Sequence, residues 1–148
     1  MGLDQYLTRL KGEREEVGYW RKANAIHRWF VDNVQEGEDD CGEYEVTIKQ
    51  LKDLLRTVQD VLGASVLTKG KIQSGKTMNK SGEWEPIMED GLYIKDHTVA
   101  EKLLPTQEGF FFGQTNYDQY YYEDLKRTKK ILEKAIEDGG TYYYSSSW

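Results

Sequence analysis

Apolar residues recur at helical spacing in three stretches of the chain. Over residues 19–34 they return every three or four positions, which predicts an amphipathic helix with a continuous apolar stripe. Over residues 47–62 the same spacing follows Thr47, which stands three residues before Gln50 as in a capping box. A third helix is predicted over residues 117–137, where apolar positions again share one face. Helices of this kind bury one face, so we expect the three to pack together.

The segments outside these helices have the composition of strands and loops. Residues 2–10 predict a short first strand, followed by a charged connector at 11–16. Residues 69–97 are rich in Gly, Lys and Ser around β-favouring pieces, which predicts a β-hairpin that extends away from the core. A final strand is predicted at 141–144. We therefore expect residues 1–148 to form one α+β domain, in which a small antiparallel sheet including both chain ends packs against about three helices.

Composition and charge exclude several classes of protein. No apolar run approaches the ~20 residues that cross a bilayer, and no signal peptide opens the chain. The single cysteine allows no internal disulfide, which fits a reducing cytoplasm. The formal net charge of −6 argues against a general nucleic-acid coat protein, because phosphate binding requires a basic surface.

Tyrosine is the unusual residue of this composition. The chain has 11 tyrosines, and most of them lie between Tyr117 and Tyr144. The aliphatic residues at helical spacing account for a core by themselves, so we expect some of these rings on the surface. Exposed tyrosines mark binding interfaces, since they bury a large area at a low entropic cost. The partner is either a foreign molecule or a second copy of the chain, which makes a homodimer reasonable.

The first predicted helix carries a row of side chains that could form the wall of a ligand site. Trp20 offers a ring for stacking, and Asn24 and His27 offer hydrogen bonds. Arg21 and Arg28 project beside this row with guanidinium groups for an anion. The alternative is a wide buried face with one satisfied histidine, because a helix between a sheet and two other helices buries a broad stripe.

The loop before the third helix completes the candidate site. Its phenylalanines at 110–112 alternate faces if extended, so at least one ring is expected to enter the core. Thr115 is the candidate N-cap of the helix that follows. From this loop we assign Phe112, Gln114 and Tyr117 to the ligand site, beside the five residues of the first helix.

Residues 70–77, GKIQSGKT, match the pattern of a phosphate-binding loop. That chemistry needs a strand before the loop and a helix after it, so that backbone amides converge on the phosphates. Residues 78–82 cannot start a stable helix, and no clear magnesium-binding acidic strand follows. The sequence therefore favours a solvated, basic hairpin loop over a nucleotide hydrolase.

The remaining candidates for chemistry are weak. Residues 39–44 group acidic side chains around Cys41, but they lack the alternating ligand spacing of a calcium loop. A catalytic thiol needs a base at a known distance, and none is indicated. His27 and His97 are too few and too far apart to predict zinc. We expect no metal, no cofactor and no enzymatic activity.

Four longer segments resemble a family of small phage and prophage proteins. They read YWRKANAIH at 19–27, DDCGEY at 39–44, LLPTQEGFFFG at 103–113 and YYYEDL at 120–125. Proteins of that family similarly open with Met-Gly-Leu-Asp and end in a Ser-Ser-Trp-like tail, so the resemblance covers nearly the whole chain. It implies a phage-encoded accessory protein in the host bacterial cytoplasm, and it carries over no catalytic residue.

Two functional hypotheses follow from these observations. The first is a non-enzymatic binding protein that counters bacterial defence by sequestering a small nucleotide-like signal, held by stacking and charge-assisted hydrogen bonds. The second is a protein-binding inhibitor of a defence effector such as a CRISPR nuclease. In that case an acidic, tyrosine-rich surface would occupy a basic nucleic-acid channel. Neither hypothesis involves a membrane or direct sequence-specific contact with nucleic acid.

Overall fold

The fold comes from a computed structural model that describes residues 2–148, so Met1 of the Met-Gly-Leu-Asp start lies outside the described residues. In this part of the chain, strands and helices follow one another with short connections. In chain order they are β1 (Asp4–Lys11), β2 (Glu13–Arg21), α1 (Asn24–Asn33), β3 (Glu43–Val46), α2 (Ile48–Ala64), β4 (Leu67–Met78), β5 (Trp84–Ile94), α3 (Thr98–Leu103), α4 (Gln119–Asp138) and β6 (Thr141–Ser147).

Both chain ends meet in one antiparallel sheet, as the sequence predicts. Its strand order is β2-β1-β6-β3, so the first and last strands lie side by side in the centre. Leu7 of β1 stands opposite Tyr144 of β6 in this pairing. A second sheet contains only β4 and β5, while α2 packs on α4. The prediction of an α+β fold with strands at both ends is therefore confirmed.

The connector predicted at 11–16 is wrong, and so is the start of the helix predicted over 19–34. Gly12, with φ of +80°, makes the tight turn of a β-hairpin, and the chain returns as β2 alongside β1. Within β2, Trp20 is buried while its two neighbours are exposed, which is the alternation of a strand. Pairing with β1 thus prevails over the helical spacing of these residues. The helix α1 begins at Asn24.

The other two predicted helices are confirmed with small changes. Thr47 and Gln50 form the predicted capping box at the start of α2. The cap of α4 is Asp118 rather than Thr115, because the Asp118 carboxylate accepts hydrogen bonds from two first-turn amides at 2.9 and 3.3 Å. The sequence pattern does not predict the short elements β3 and α3, which span too few residues for a periodic signal.

Aromatic rings fill a large part of the core. Trp20, Tyr142 and Tyr144 are fully buried. Phe30 of α1 stacks on Tyr144 with 3.9 Å between ring centroids, and the Tyr142 hydroxyl donates to a carbonyl of α4 at 2.7 Å. The interpretation that aliphatic residues account for the core by themselves is therefore wrong. Some tyrosines are nevertheless exposed as expected, among them Tyr120 at 42%.

The hairpin predicted at 69–97 is confirmed as a long ribbon of β4 and β5, here called the arm (residues 67–94). Its base packs on the body through the buried side chain of Ile94, whereas residues 80–90 are all exposed. The motif at 70–77 lies inside β4 and is followed by a turn and a second strand. It is therefore neither the predicted hairpin loop nor a phosphate-binding loop, which requires a following helix.

Candidate functional site

Trp20 belongs to the core and not to a ligand site. It lies on β2 instead of the first helix, and its ring packs edge-on against Phe30 with no exposed surface. The indole Nε1 donates a hydrogen bond to Oγ1 of Thr128 on α4 at 2.8 Å. Because its polar atom is satisfied inside the protein, this ring offers neither a stacking face nor a donor to a ligand.

Asn24, the first residue of α1, anchors the loop that precedes α4. Its Nδ2 donates to the carbonyls of Phe112 and Gln114, both at 2.9 Å. Its Oδ1 accepts a hydrogen bond from the backbone amide of Gln107, also at 2.9 Å. Since Asn24 is buried, these three bonds fix the loop against the start of α1. The hydrogen-bonding capacity predicted for a ligand is thus used within the protein.

His27 is a fully buried histidine with both ring nitrogens satisfied. Its Nδ1 accepts from the Tyr144 hydroxyl at 2.6 Å, and its Nε2 donates to the Asp39 carboxylate at 3.0 Å. Burial lowers the pKa of His27, and Asp39 offsets only part of that shift, so the imidazole is neutral. Phe112 covers the ring edge-on at 5.3 Å between centroids. This is the satisfied histidine of the alternative interpretation.

Arg28 and Tyr117 hold the segment that follows α3. The Arg28 guanidinium donates to the Thr106 carbonyl at 3.2 Å, and the Tyr117 hydroxyl accepts from the Thr106 amide at 3.2 Å. The Tyr117 ring also stacks on His97 with 4.9 Å between centroids. Both side chains therefore make packing contacts in the fold.

An open cavity of about 740 Å³, here called the groove, lies beyond the N-terminus of α1. Its walls are the β2–α1 junction, the loop before α4, the first turns of α4 and the middle of β4. Three of the eight predicted site residues line it: Arg21, Asn24 and Gln114. The other five lie elsewhere: Trp20, His27, Arg28, Phe112 and Tyr117. The structure therefore divides the predicted set in two.

Four cationic side chains line the groove. Arg21 is paired with Asp4 at 2.8 Å. Lys22, Lys76 and Arg127 form no ion pair with any residue in the range 2–148. Lys22 has φ of +56°, a conformation that costs energy in a residue with a side chain. Three cations that form no ion pair within the described chain thus face one cavity, which the carboxylates of Asp118, Glu123 and Asp124 also line.

The N-terminus of α1 opens onto the same groove. Ala23 occupies its N-cap position and has no side chain that could accept a hydrogen bond. Ala25 and Ile26 of the first turn line the cavity. First-turn amides carry the positive end of the helix dipole, so they add to the potential of the cations.

Two aspartates on the α4 side of the groove differ in how they are satisfied. The Asp118 carboxylate caps α4 and also accepts from Nε2 of Gln114 at 3.0 Å. The side chain of Asp124, which is half-buried, makes no hydrogen bond or ion pair with the described groups. Desolvation therefore raises the pKa of Asp124 to about 7, with Arg127 opposing the shift.

Two exposed aromatic rings border the groove. Phe110, at the tip of the loop before α4, is 94% exposed, and it packs edge-on against Phe111. Tyr120 lies on the first turn of α4. An aromatic side chain with this exposure has a free face, so the groove combines cations with rings that can stack on a planar group.

Sequence reasoning missed most of the groove. It did not select Lys22, Lys76, Arg127, Asp124 or Phe110. One signal was present, because Gly75 and Lys76 belong to the phosphate-loop pattern and both line the cavity. The pattern indicated the right side chain for the wrong structural reason.

Within residues 2–148, no group of three or more His, Cys, Asp or Glu side chains is arranged to hold a metal ion. Among the helices described, none is both long and apolar enough to span a bilayer. No known protein-family model, curated protein or solved structure matches this chain.

Proposed function

We propose that the protein is a non-enzymatic binder that holds a small nucleotide-like anion in the groove. The observation that carries the proposal is the set of Lys22, Lys76 and Arg127, which line one cavity and form no ion pair with any described residue. Side chains of this type bind phosphate through charge-assisted hydrogen bonds, each stronger than a neutral one. The uncapped N-terminus of α1 adds a further preference for an anion.

The rings and the size of the groove favour a nucleotide over a bare phosphate. Phe110 and Tyr120 offer faces on which a base can stack, and such stacking contributes to binding whichever base is present. The volume of about 740 Å³ falls within the ~300–1,000 Å³ of typical small-molecule sites. The proposed binder retains this molecule unchanged.

The biological role that fits such a binder is sequestration. The resemblance to phage and prophage proteins supports a role in an infected bacterium, where removal of a nucleotide signal would blunt a defence response. This step rests on analogy between small phage accessory proteins and not on the groove itself. The protein would then act in the host cytoplasm by holding the signal in proportion to its own concentration.

Calorimetric titration tests the proposal. The wild-type protein is titrated with phosphate, AMP, GMP, cyclic AMP and cyclic GMP, and at least one nucleotide is expected to bind more tightly than phosphate. Lys76→Glu should weaken that binding about tenfold or more, because it replaces a free cation by an anion. Lys80→Glu is the matched control, since Lys80 lies on the same arm outside the groove. Absence of heat at about 1 mM for every compound would refute the proposal.

A second candidate function is inhibition of a defence protein through the arm. It is supported by the exposed apolar side chains near the tip of the arm. Met78 and Trp84 stand directly opposite each other near the arm's tip, and Trp84 is 65% exposed. Met88, two pleats along, is 52% exposed on the same face, with Lys76 beside it. Exposed apolar side chains of this kind mark protein interfaces. The fitting partner has an apolar cleft with an acidic rim.

The two candidates separate in one assay. Purified CRISPR nucleases are tested for DNA cleavage with and without the protein, and then with Trp84→Ser. Inhibition that is lost in Trp84→Ser and kept in Arg127→Glu, a groove variant outside the arm, would favour the arm. Nucleotide binding without any inhibition would favour the groove.

A further inference from the structure

Asp124 is the one carboxylate of the groove whose lack of a partner needs an explanation. The neighbouring Asp118 has three hydrogen bonds inside the protein, from the two first-turn amides and Gln114. Glu123 also lines the groove, but its side chain is exposed and contacts Lys126 at 3.7 Å. Asp124 is half-buried, so solvent reaches only part of its side chain. No group of the described chain donates a hydrogen bond to its carboxylate. Because this carboxylate lines the cavity and accepts no hydrogen bond from the described chain, it is available to donors of a ligand.

The residues of the groove therefore fit a ligand that carries two different kinds of chemical group. Lys22, Lys76 and Arg127 call for an anionic group, while Asp124 calls for hydrogen-bond donors. A simple anion such as phosphate would satisfy the cations and repel the carboxylate. A molecule with a phosphate at one end and N–H groups at the other would satisfy both.

Among nucleotide bases, guanine meets this requirement best. Its Watson–Crick edge presents two adjacent N–H donors, which match the two oxygens of a carboxylate. Adenine presents one amino group beside an acceptor nitrogen, which would face the carboxylate unfavourably. A site built around a polar group rejects an analogue that leaves that group unpaired, and does so more strongly than an apolar pocket rejects a change of shape.

We propose that Asp124 selects a guanine nucleotide by accepting hydrogen bonds from the base, while Lys22, Lys76 and Arg127 hold its phosphate. This inference rests on the proposed function, since it names the ligand class of the same groove. The raised pKa of Asp124 is consistent with the assignment, because desolvation raises it and no hydrogen bond to the carboxylate opposes the shift.

Titration with GMP and AMP tests the inference. Both ligands carry the same phosphate, so the cations contribute equally to each. The wild-type protein should bind GMP about tenfold more tightly than AMP at pH 8, where Asp124 is ionised. In Asp124→Asn the preference should fall to about threefold or less, because an amide has only one acceptor oxygen for guanine and no longer repels the acceptor nitrogen of adenine. Glu133→Gln, at an exposed acid of α4 outside the groove, is the matched control and should keep the preference.

The outcomes distinguish failure of this inference from failure of the proposed function. Equal binding of GMP and AMP by the wild-type protein would overturn the guanine assignment and leave nucleotide binding intact. Persistence of the preference in Asp124→Asn would overturn the role of Asp124. Binding of neither nucleotide would refute both proposals. The comparison of the two ligands on the wild-type protein needs no variant, so it stands even if Asp124→Asn fails to fold.

Discussion

The buried face of α1 and the groove beyond its N-terminus contain similar residues in opposite situations. On α1, Asn24 and His27 have every polar side-chain atom in a hydrogen bond with another part of the chain. In the groove, Lys22, Lys76 and Asp124 have polar groups without internal partners. Polar side chains with internal partners stabilise the fold, and those without them are available to a ligand.

The comparison shows that residue type alone does not identify a site. The sequence pattern suggests a ligand site on the first helix, because it aligns a tryptophan, an amide, an imidazole and guanidinium groups in one row. In this protein most of that row holds together the sheet, α1 and the loop before α4. The supply of hydrogen-bond partners, which depends on the tertiary structure, decides between the two uses.

The largest expected effect is on stability, from Asn24→Leu. The substitution leaves two carbonyls and one amide of the loop without partners, and each buried unsatisfied group costs about 1–3 kcal/mol. We expect a loss of roughly 3 kcal/mol or more in the free energy of unfolding, measured by urea denaturation.

Asn116→Leu is the matched control, because Asn116 has the same side chain in an exposed position. It should cost less than about 0.5 kcal/mol. A loss from Asn24→Leu no greater than that of the control would contradict the structural role of Asn24 and would return it to the list of ligand contacts.

Much of the fold could be predicted from the sequence because its signals are local. The apolar spacing of α2 and α4, the capping box at Thr47 and the strand at each chain end are all found in the structure. The start of α1 could not be predicted, since Trp20 fits both a helical stripe and a strand. The outcome depended on pairing between β1 and β2, which is a contact between distant parts of the chain and leaves no local trace.

The groove could be predicted only in fragments, because it is assembled from four separate segments. Arg21 and Gln114 were selected for their chemistry and do line it. Asp124 and Arg127 follow the tyrosine cluster of α4 and have no motif of their own. Whether a charged side chain has a counter-ion is a property of the folded chain, so no sequence pattern could show that Asp124 lacks one.

A smaller effect is expected in the pH dependence of stability, through His27. Burial lowers the pKa of His27 below its unfolded value of about 6.5, so the unfolded chain binds a proton first. The contribution of neutral His27 to the free energy of unfolding is therefore present above pH 6.5, and it is lost as the pH falls toward the pKa of His27 in the folded protein. We expect the free energy of unfolding of the wild type to drop by about 1 kcal/mol more than that of His27→Gln between pH 7 and pH 5.5.

The difference between the wild type and His27→Gln isolates the effect of His27 on the pH dependence of stability. Asp124, whose pKa is raised, contributes a dependence of opposite sign, but it is present in both and cancels. If the free energy of unfolding had the same pH dependence in the wild type and in His27→Gln, His27 would be solvated. It could then no longer be counted among the buried polar groups that have internal partners.

The smallest expected effect on stability comes from the tip of the arm. Trp84 contacts Met78 across the ribbon and is otherwise exposed, so Trp84→Ser should change the free energy of global unfolding by less than about 0.5 kcal/mol. The ribbon itself should nevertheless open more often, because two strands without a supporting layer are marginal on their own. Hydrogen exchange of the amides near residues 76–86 should therefore quicken in this variant while exchange in β1 and β6 stays the same. A loss of more than about 1 kcal/mol in global stability would show that the tip packs on the body, and the arm could then no longer be considered a surface free for a partner.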